Sequence, residues 1–503
     1  MAASRPAPLA SGPSQGSVRR VNTGPAPRRR CAGGLSRPAR ADVDAGGRGD
    51  AQEVGFAPPA RDRRPPYGDT MSRGDPAESA LKRQASRSTD TMPDRSTARL
   101  GLPGDASTAA RVAAGLAAAL LGFGLPVLMV LANKSAPATL GAAAVAANAA
   151  ALLAGRGPAL LRRYAAALRS APTLIAVGVL AIFALSFAWT IDARLTARGF
   201  VEGLPELAFA LGLAAAWPLV GRRTDARWLV AGVAVAGLLI LFEHAAGLPL
   251  HALLRARGEA WDLKRSAVPP LLLLWPAAAV LWPARRFAGL AGLVGAVAVG
   301  IAASHSGAPG AALAVGAALF ALALAAPRAA LGVTAIGLAA LVVTAPWTGS
   351  ILTRALPPDT RQELREEHAE HRLAIWTAFQ HRGFDRPWLG HGFDASFSVA
   401  EAPRPGGDPA PEDSARIVGF HPHDVVLQFW IELGALGLAA ASLVFCFVVG
   451  RLRNRRGVPL ASRLGLLAAV MGVGLVGLSA WQPWWIASVA AALLWFGREE
   501  PQP

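Results

Sequence analysis

The residues best suited to chemistry lie in one short stretch, His421-Pro422-His423-Asp424, immediately before an apolar segment. Proline disfavours helix in the residue before it, so we expect His423 at the first turn of the helix that follows. An imidazole at that position can accept a proton from a substrate near neutral pH. Two alternatives stay open for the histidine pair: helix capping, and a His-x-His metal site for which Asp424 is the only adjacent carboxylate.

A glutamate follows inside the same apolar segment. Glu432 lies nine residues after His423, which corresponds to about 13 Å along a helix. An ionisable group at that depth in a membrane is costly, so a functional role is the first hypothesis. The alternative is a glutamate that hydrogen-bonds between helices and serves packing. Gly434 and Gly437 are expected to allow close helix approach.

Two arginines are candidate ligands for a phosphate group. Arg372 belongs to the stretch Arg-Leu-Ala-Ile-Trp376, and Arg265 stands between Lys264 and Ser266. A guanidinium group keeps its charge and binds phosphate through two hydrogen bonds, which would suit a lipid-linked diphosphate. Each arginine also has a simpler interpretation. Arg265 could extend from a helix end toward water, and Arg372 could be a solvated charge on a polar helix face.

The composition indicates which elements must position these residues. Of 503 residues, 53% are hydrophobic and only 17% are charged, whereas a soluble protein has about 25% charged residues. An ordinary soluble globule is therefore excluded. The net charge is +17, but 18 of the 50 Lys and Arg lie in the first 109 residues, and most others flank apolar blocks. This placement favours membrane orientation over nucleic-acid binding. Two cysteines exclude a disulfide framework and a Cys-based zinc site.

The hydropathy pattern predicts an all-α polytopic membrane protein with about twelve spans. Residues 1–109 lack periodicity and are predicted to form a disordered cytoplasmic tail, and a start at Met71 or Met92 would fit equally well. Residues 110–347 hold nine spans and residues 424–497 hold three, before a short cytoplasmic tail at 498–503. The predicted spans are 110–132, 136–154, 171–190, 202–220, 227–247, 267–283, 286–303, 309–326, 329–347, 424–450, 461–479 and 481–497.

Arginines in alternate joints predict that both termini face the cytoplasm and that the long segment 348–423 lies on the outer side. This segment holds six of the nine histidines. Within it, residues 361–382 are predicted to form an amphipathic helix at the membrane interface, with Trp376 as its anchor. Trp481, Trp484 and Trp485 are predicted to form an aromatic belt. The sequence Ser304-His305-Ser306-Gly307 is interpreted as the structural end of a helix.

Taken together and in this order, the motifs resemble the O-antigen ligase and O-antigen polymerase superfamily of bacterial envelope glycosyltransferases. The motifs that carry the resemblance are the Arg372 to Trp376 helix, the Pro387-Trp-Leu-Gly390-His-Gly392 turn, and His423 followed by Gly434-x-x-Gly437. The resemblance covers roughly residues 110–497 and is sharpest between Arg372 and Gly437. Two features depart from the family pattern. Asp424 stands where the family commonly has Asn, Ser or Gln, and Ser306-Gly307 lacks the arginine of a Ser-Arg-Gly element.

The resemblance implies transfer of a glycan from undecaprenyl diphosphate to a hydroxyl of lipid A-core or another glycan acceptor, at the periplasmic face of the bacterial inner membrane. It implies no cofactor and no catalytic metal. His423 matches the family's base, and Arg372 and Arg265 match its diphosphate-binding arginines; His421, Asp424, Glu432 and Trp376 are candidate supporting residues. The alternatives are an O-antigen or exopolysaccharide polymerase and, from another class, a polysaccharide-lipid transporter or flippase. The transporter alternative is disfavoured because no internal repeat is evident.

Overall fold

The computed structural model describes Leu102 and residues 106–221, 225–254, 263–357, 369–401 and 421–497, and every regular element in those ranges is a helix. The helices are α1 (Thr108–Leu131), α2 (Ala136–Leu153), α3 (Gly157–Leu168), α4 (Ala171–Ala188), α5 (Ala193–Val220), α6 (Ala226–Ala245), α7 (Pro249–Leu253), α8 (Leu263–Ser266), α9 (Val268–Leu281), α10 (Phe287–Ala303), α11 (Gly307–Ala325), α12 (Pro327–Ala355), α13 (Ala369–Asp385), α14 (Ser396–Glu401), α15 (Val425–Leu452), α16 (Gly457–Gly474) and α17 (Pro483–Phe496).

The chain is a polytopic helical membrane protein. In the described part of the chain, nine helices are long and apolar enough to cross a bilayer, namely α1, α2, α4, α5, α6, α11, α12, α15 and α16. Three shorter apolar helices, α9, α10 and α17, have 14, 17 and 14 residues. Each of the twelve predicted spans coincides with one of these helices. The all-helical architecture is confirmed, and the number of crossings stays a prediction.

Several helices begin where a side chain satisfies the free N–H groups of the first turn. Ser107 Oγ accepts from Ala110 N at 3.2 Å ahead of α1. Asp192 Oδ1 accepts from Leu195 N at 3.0 Å ahead of α5. The joint between the second and third predicted spans contains a further helix, α3, which Tyr164 ties to α2 through a 2.9 Å hydrogen bond to Asn148 Oδ1. Local capping therefore fixes where these helices start.

The main core is built from small and aliphatic side chains of α1, α2, α6, α9, α16 and α17. Lipid tails are as apolar as leucine, so close packing rather than water exclusion holds such helices together. Trp484 and Trp485 are 4% and 6% exposed and belong to this core. The prediction that they form an aromatic belt at the membrane surface is therefore wrong.

Helix α13 lies against the start of α15. Its apolar residues Leu373, Ile375, Trp376 and Phe379 are buried in a cluster with Leu427, Trp430 and Ile431 of α15. Trp376 is only 8% exposed. The prediction that Trp376 anchors this helix to the membrane interface is wrong, because its indole packs inside the protein. Residues 361–368 of the predicted amphipathic helix, like the predicted tails up to residue 101 and at 498–503, lie outside the described residues.

Candidate active site

The stretch His421-Pro422-His423-Asp424 leads directly into α15. Asp424 is the N-cap, and its Oδ1 accepts hydrogen bonds from Val426 N at 2.8 Å and Leu427 N at 3.1 Å. His423 precedes the cap with a left-handed backbone, φ +55°. The expected position at the first helical turn is therefore wrong by two residues. A left-handed histidine costs about 1–3 kcal/mol, so the contacts around it must hold the conformation.

The two histidine rings contact each other edge to face. Their centroids are 4.0 Å apart and the ring planes make an angle of 79°. Burial, the neighbouring His423 and the charge of Arg265 lower the pKa of His421 to about 3. The His421 ring is therefore neutral at any working pH. It forms a fixed, uncharged wall beside His423.

Arg265 comes to this pair from a distant part of the sequence. It lies on the short helix α8, which Ser266 ties to the end of α1 through a 2.7 Å hydrogen bond from Ser266 Oγ to Met129 O. The positive charge of Arg265 contributes to the lowered pKa of His421. The guanidinium group of Arg265 therefore lies within electrostatic reach of His421, the neighbour of the predicted base.

Arg372 lies on α13, the helix that contacts the same stretch through Trp376. The indole Nε1 of Trp376, one helical turn later, donates a 2.8 Å hydrogen bond to Pro422 O. Residues four apart lie on the same helix face, so Arg372 belongs to the face of α13 that meets Pro422. Arg372 is half-buried, and burial lowers its pKa below the usual arginine value. A partly desolvated guanidinium group favours an anionic partner.

Glu432 is fully buried and accepts four hydrogen bonds. Its Oε1 accepts from Ser396 Oγ at 2.5 Å and Gln428 Nε2 at 2.8 Å. Its Oε2 accepts from Asp394 N at 2.8 Å and Trp481 Nε1 at 2.6 Å. These contacts support the packing alternative for Glu432, because the carboxylate connects a loop, its own helix and the segment before α17.

The turn Pro387-Trp-Leu-Gly-His-Gly392 inserts into a break in α15. Gly434 has φ +61° and ψ −147°, which interrupts the helix. Ala435 N donates to Pro387 O at 2.8 Å, and Gly392 N donates to Glu432 O at 2.8 Å. A Cβ atom at Gly434 would lie 2.5 Å from the carbonyl carbon of Trp388. The prediction that Gly434 serves helix approach is wrong, since the segment that approaches is a loop.

Gly437 serves the same kink. A Cβ atom at Gly437 would lie 2.3 Å from Phe429 O in its own helix, eight residues earlier. The distortion at Gly434 brings these two turns of α15 close together. Gly437 is therefore required by the bend of one helix, and the expectation of a helix–helix contact at this glycine is also wrong.

Sequence reasoning missed most of the partners of Glu432. Asp394, Ser396 and Gln428 were not singled out, and Trp481 was assigned to a membrane belt. Burial and the adjacent negative charge of Glu432 raise the pKa of Asp394 well above its usual range. Gln428 could have been predicted as a partner of Glu432, because it precedes Glu432 by four residues and so lies on the same helix face.

The geometry suits proton transfer beside an anion. His423 lies between the His421 ring and the N-terminus of α15. Helix α13, which carries Arg372, packs against the start of α15, and the charge of Arg265 acts on His421. Across the described ranges no group of three or more metal-ligating side chains occurs. Proton transfer and metal binding at this pair both stay predictions.

Comparisons with known proteins point to one family. A family model described as O-antigen ligase matches residues 290–442. "Putative polysaccharide ligase" of Rickettsia prowazekii (strain Madrid E) is 29% identical over 163 residues, which is 29% of this chain and 38% of that protein. The protein of the same name from Rickettsia bellii (strain RML369-C) is 30% identical over 132 residues, or 24% of this chain and 29% of that protein. The chain thus spans well under half the length of these curated relatives.

Proposed function

Because a family model described as O-antigen ligase matches residues 290–442, which contain Arg372 and His423, we propose that the chain belongs to the O-antigen ligase superfamily and is a glycosyltransferase that uses a lipid-diphosphate donor. The donor is a glycan on undecaprenyl diphosphate, and the acceptor is a hydroxyl group of lipid A-core. The reaction takes place at the periplasmic face of the bacterial inner membrane, with both termini of the chain in the cytoplasm. No cofactor is required, because the carrier diphosphate is already a good leaving group.

One observation carries this proposal: residues far apart in sequence act on the stretch 421–424. The charge of Arg265 acts on His421, and Trp376 binds Pro422 between the two histidines. A base and two arginines are the groups needed to remove a hydroxyl proton and to stabilise a departing diphosphate.

In the proposed reaction His423 accepts the proton of the acceptor hydroxyl group. The acceptor oxygen attacks the anomeric carbon as the bond from that carbon to the diphosphate oxygen breaks, which inverts the configuration. Arg265 and Arg372 stabilise the negative charge that develops on the diphosphate. His421 stays neutral and therefore neither competes for the proton nor repels the protonated His423.

The test uses the full chain in lipid nanodiscs, a defined undecaprenyl-diphosphate-linked glycan, and lipid A-core as acceptor. His423→Ala should abolish glycan transfer, a loss of at least about 100-fold if the residue is a general base. The matched control is His381→Ala, which removes an exposed histidine from α13 and should transfer at the wild-type rate. Glycan transfer by His423→Ala at the wild-type rate would show that His423 is not the base.

The arginines are tested in the same assay. Arg265→Ala and Arg372→Ala should each lower kcat, because the charge they stabilise develops in the transition state. Arg354→Ala, which removes an exposed arginine near the end of α12, is the control.

Two further outcomes separate the alternative functions. Extension of a second lipid-linked glycan with no product on lipid A-core indicates a polymerase, and movement of the lipid-linked glycan across the bilayer with no transfer indicates a flippase.

A further inference from the structure

Two histidines outside the candidate active site face each other at the ends of neighbouring helices. His244 lies in the last turn of α6, and His305 follows the end of α10. Their Nε2 atoms are 3.3 Å apart, and the ring centroids are 4.7 Å apart. Both side chains are exposed. Neither residue has a role in the proposed transfer reaction.

Glycines bring these helix ends together. A Cβ atom at Gly237 of α6 would lie 2.3 Å from Ala296 O of α10, and a Cβ atom at Gly300 would lie 2.7 Å from Gly237 O. The two backbones are therefore in direct contact one to two turns before their C-terminal ends. This contact sets the short distance between His244 and His305.

Local hydrogen bonds fix the end of α6. Glu243, beside His244, is fully buried and accepts from Leu250 N at 3.0 Å. Its Oε2 also contacts His251 Nδ1 at 2.5 Å. The end of α6 is thereby tied to α7, so the backbone that carries His244 cannot fray.

The joint after α10 is equally constrained. The buried Ser304 Oγ donates to Ile301 O at 2.7 Å, and His305 N donates to Ala302 O at 3.1 Å. His305 has φ +50°, a left-handed conformation that is unfavourable for a histidine. The strained backbone turns the ring of His305 toward His244.

The geometry points to a binding site for a divalent transition-metal ion between His244 and His305. Two imidazole nitrogens bound tetrahedrally to one ion at 2.0–2.1 Å must lie about 3.3–3.4 Å apart, and the observed separation is 3.3 Å. Imidazole ligands suit Zn²⁺, Cu²⁺ and Ni²⁺. Both helices present their C-terminal ends, where the helix dipole favours a cation.

A direct hydrogen bond between the rings is the competing explanation. Such a bond between exposed neutral groups contributes only about 1 kcal/mol, because water competes for both partners. Since the described residues include no group of three metal-ligating side chains, water completes the coordination shell, which makes the ion exchangeable.

The experiment measures metal binding to the full chain, purified in detergent without a polyhistidine tag. Titration calorimetry with Cu²⁺, Ni²⁺ and Zn²⁺ should show one shared site, with Cu²⁺ bound most tightly. His244→Ala and His305→Ala should each weaken binding by at least about tenfold, the loss typical of removing even an indirect partner of a metal. His381→Ala, which removes an exposed histidine elsewhere, should bind as the wild type does.

Electron paramagnetic resonance of the Cu²⁺ complex supplies a second readout. Coupling to two imidazole nitrogens is expected in the wild type and should be absent in both variants. A variant that is misfolded is recognised by its elution profile, and His305→Asn then replaces it, since asparagine tolerates a left-handed backbone. No binding by the wild type, or unchanged Cu²⁺ affinity and spectrum in both variants, would overturn the proposal. Either result leaves the glycan-transfer proposal unaffected, because that reaction is measured separately.

Discussion

The indole nitrogen of Trp376 donates a 2.8 Å hydrogen bond to the carbonyl oxygen of Pro422, the residue between His421 and His423. The bond joins α13 to the stretch that precedes α15. It places the helix face that carries Arg372 beside the proposed base. The indole is therefore a positioning group, because it acts on the reaction through the backbone of the histidine pair.

Trp376→Phe should lower transfer activity while the protein remains folded. The substitution removes the indole N–H, so the buried carbonyl oxygen of Pro422 loses its hydrogen bond. This loss lowers the free energy of unfolding by about 1–3 kcal/mol. The freed stretch no longer holds His423 in one orientation, so kcat should fall more than KM changes. Trp388→Phe is the control, because the Trp388 side chain is 76% exposed. Equal kcat values for the two variants would show that the Trp376 bond does not position the site.

Glu432→Gln should destabilise the protein. An amide has one accepting oxygen, whereas the carboxylate accepts two hydrogen bonds on each oxygen. Whichever way the amide turns, its NH₂ group faces a donor, and a lost buried bond costs about 1–3 kcal/mol. Glu432→Ala should cost more, because all four donors lose their acceptor.

Thermal unfolding in detergent measures this effect. The matched control is Glu202→Gln, which removes an exposed ion pair with Arg198 and should cost about 0–1 kcal/mol. A melting temperature for Glu432→Gln equal to that of the control would mean that the four bonds at Glu432 do not stabilise the fold.

Gly434→Ala should be strongly destabilising. The residue has φ +61°, and the added methyl group would meet the backbone of Trp388 at 2.5 Å. Strain and displacement of the inserted loop together cost at least about 2 kcal/mol. Gly450→Ala in the same helix meets nothing within 4 Å and should be neutral or slightly stabilising. Comparison of the two unfolding curves tests the loop insertion, and a stable Gly434→Ala variant would contradict it.

The helices could be predicted well from the sequence, because a membrane-spanning helix is recognised by its length and hydropathy. The sequence also indicated Arg265, Arg372 and His423 as candidate site residues through their residue types and motifs, and their roles stay predictions. It could not predict the break in α15. A Gly-x-x-Gly pattern fits a helix contact and a kink equally well, and the deciding contact, Ala435 N to Pro387 O, joins residues 48 positions apart in the sequence.

The tryptophans show the same limit. Trp376 and Trp481 both lie near the ends of apolar stretches, where an aromatic belt is the usual explanation. In the structure each indole donates to a buried acceptor, Pro422 O and Glu432 Oε2 respectively. A lone sequence does not show whether a tryptophan at such a position faces lipid or another segment of the chain.

Asp424 gives the protein a pH-dependent stability. Burial raises the pKa of Asp424 to about 6, although hydrogen bonds from Leu427 N and Val426 N oppose the rise. Its usual value of 3.8 applies to the unfolded chain. Below that pH the group is protonated in both states. Between pH 3.8 and about 6 the carboxyl group ionises in the unfolded chain but keeps its proton in the folded protein. The free energy of unfolding therefore falls as the pH rises through this range.

Asp424→Asn should remove that loss and keep the helix cap, because asparagine caps as well as aspartate. The stability of the variant relative to the wild type should therefore increase between about pH 4 and pH 7, by up to about 3 kcal/mol. Asp192→Asn is a control of opposite sign. Hydrogen bonds from Leu195 N and Ser398 Oγ lower the pKa of Asp192. Its carboxylate therefore stabilises the fold at pH values above the usual aspartate pKa, and Asp192→Asn should be less stable than the wild type near neutral pH. Unfolding temperatures of the three proteins across this pH range test both signs, and a constant difference between Asp424→Asn and the wild type would contradict the raised pKa.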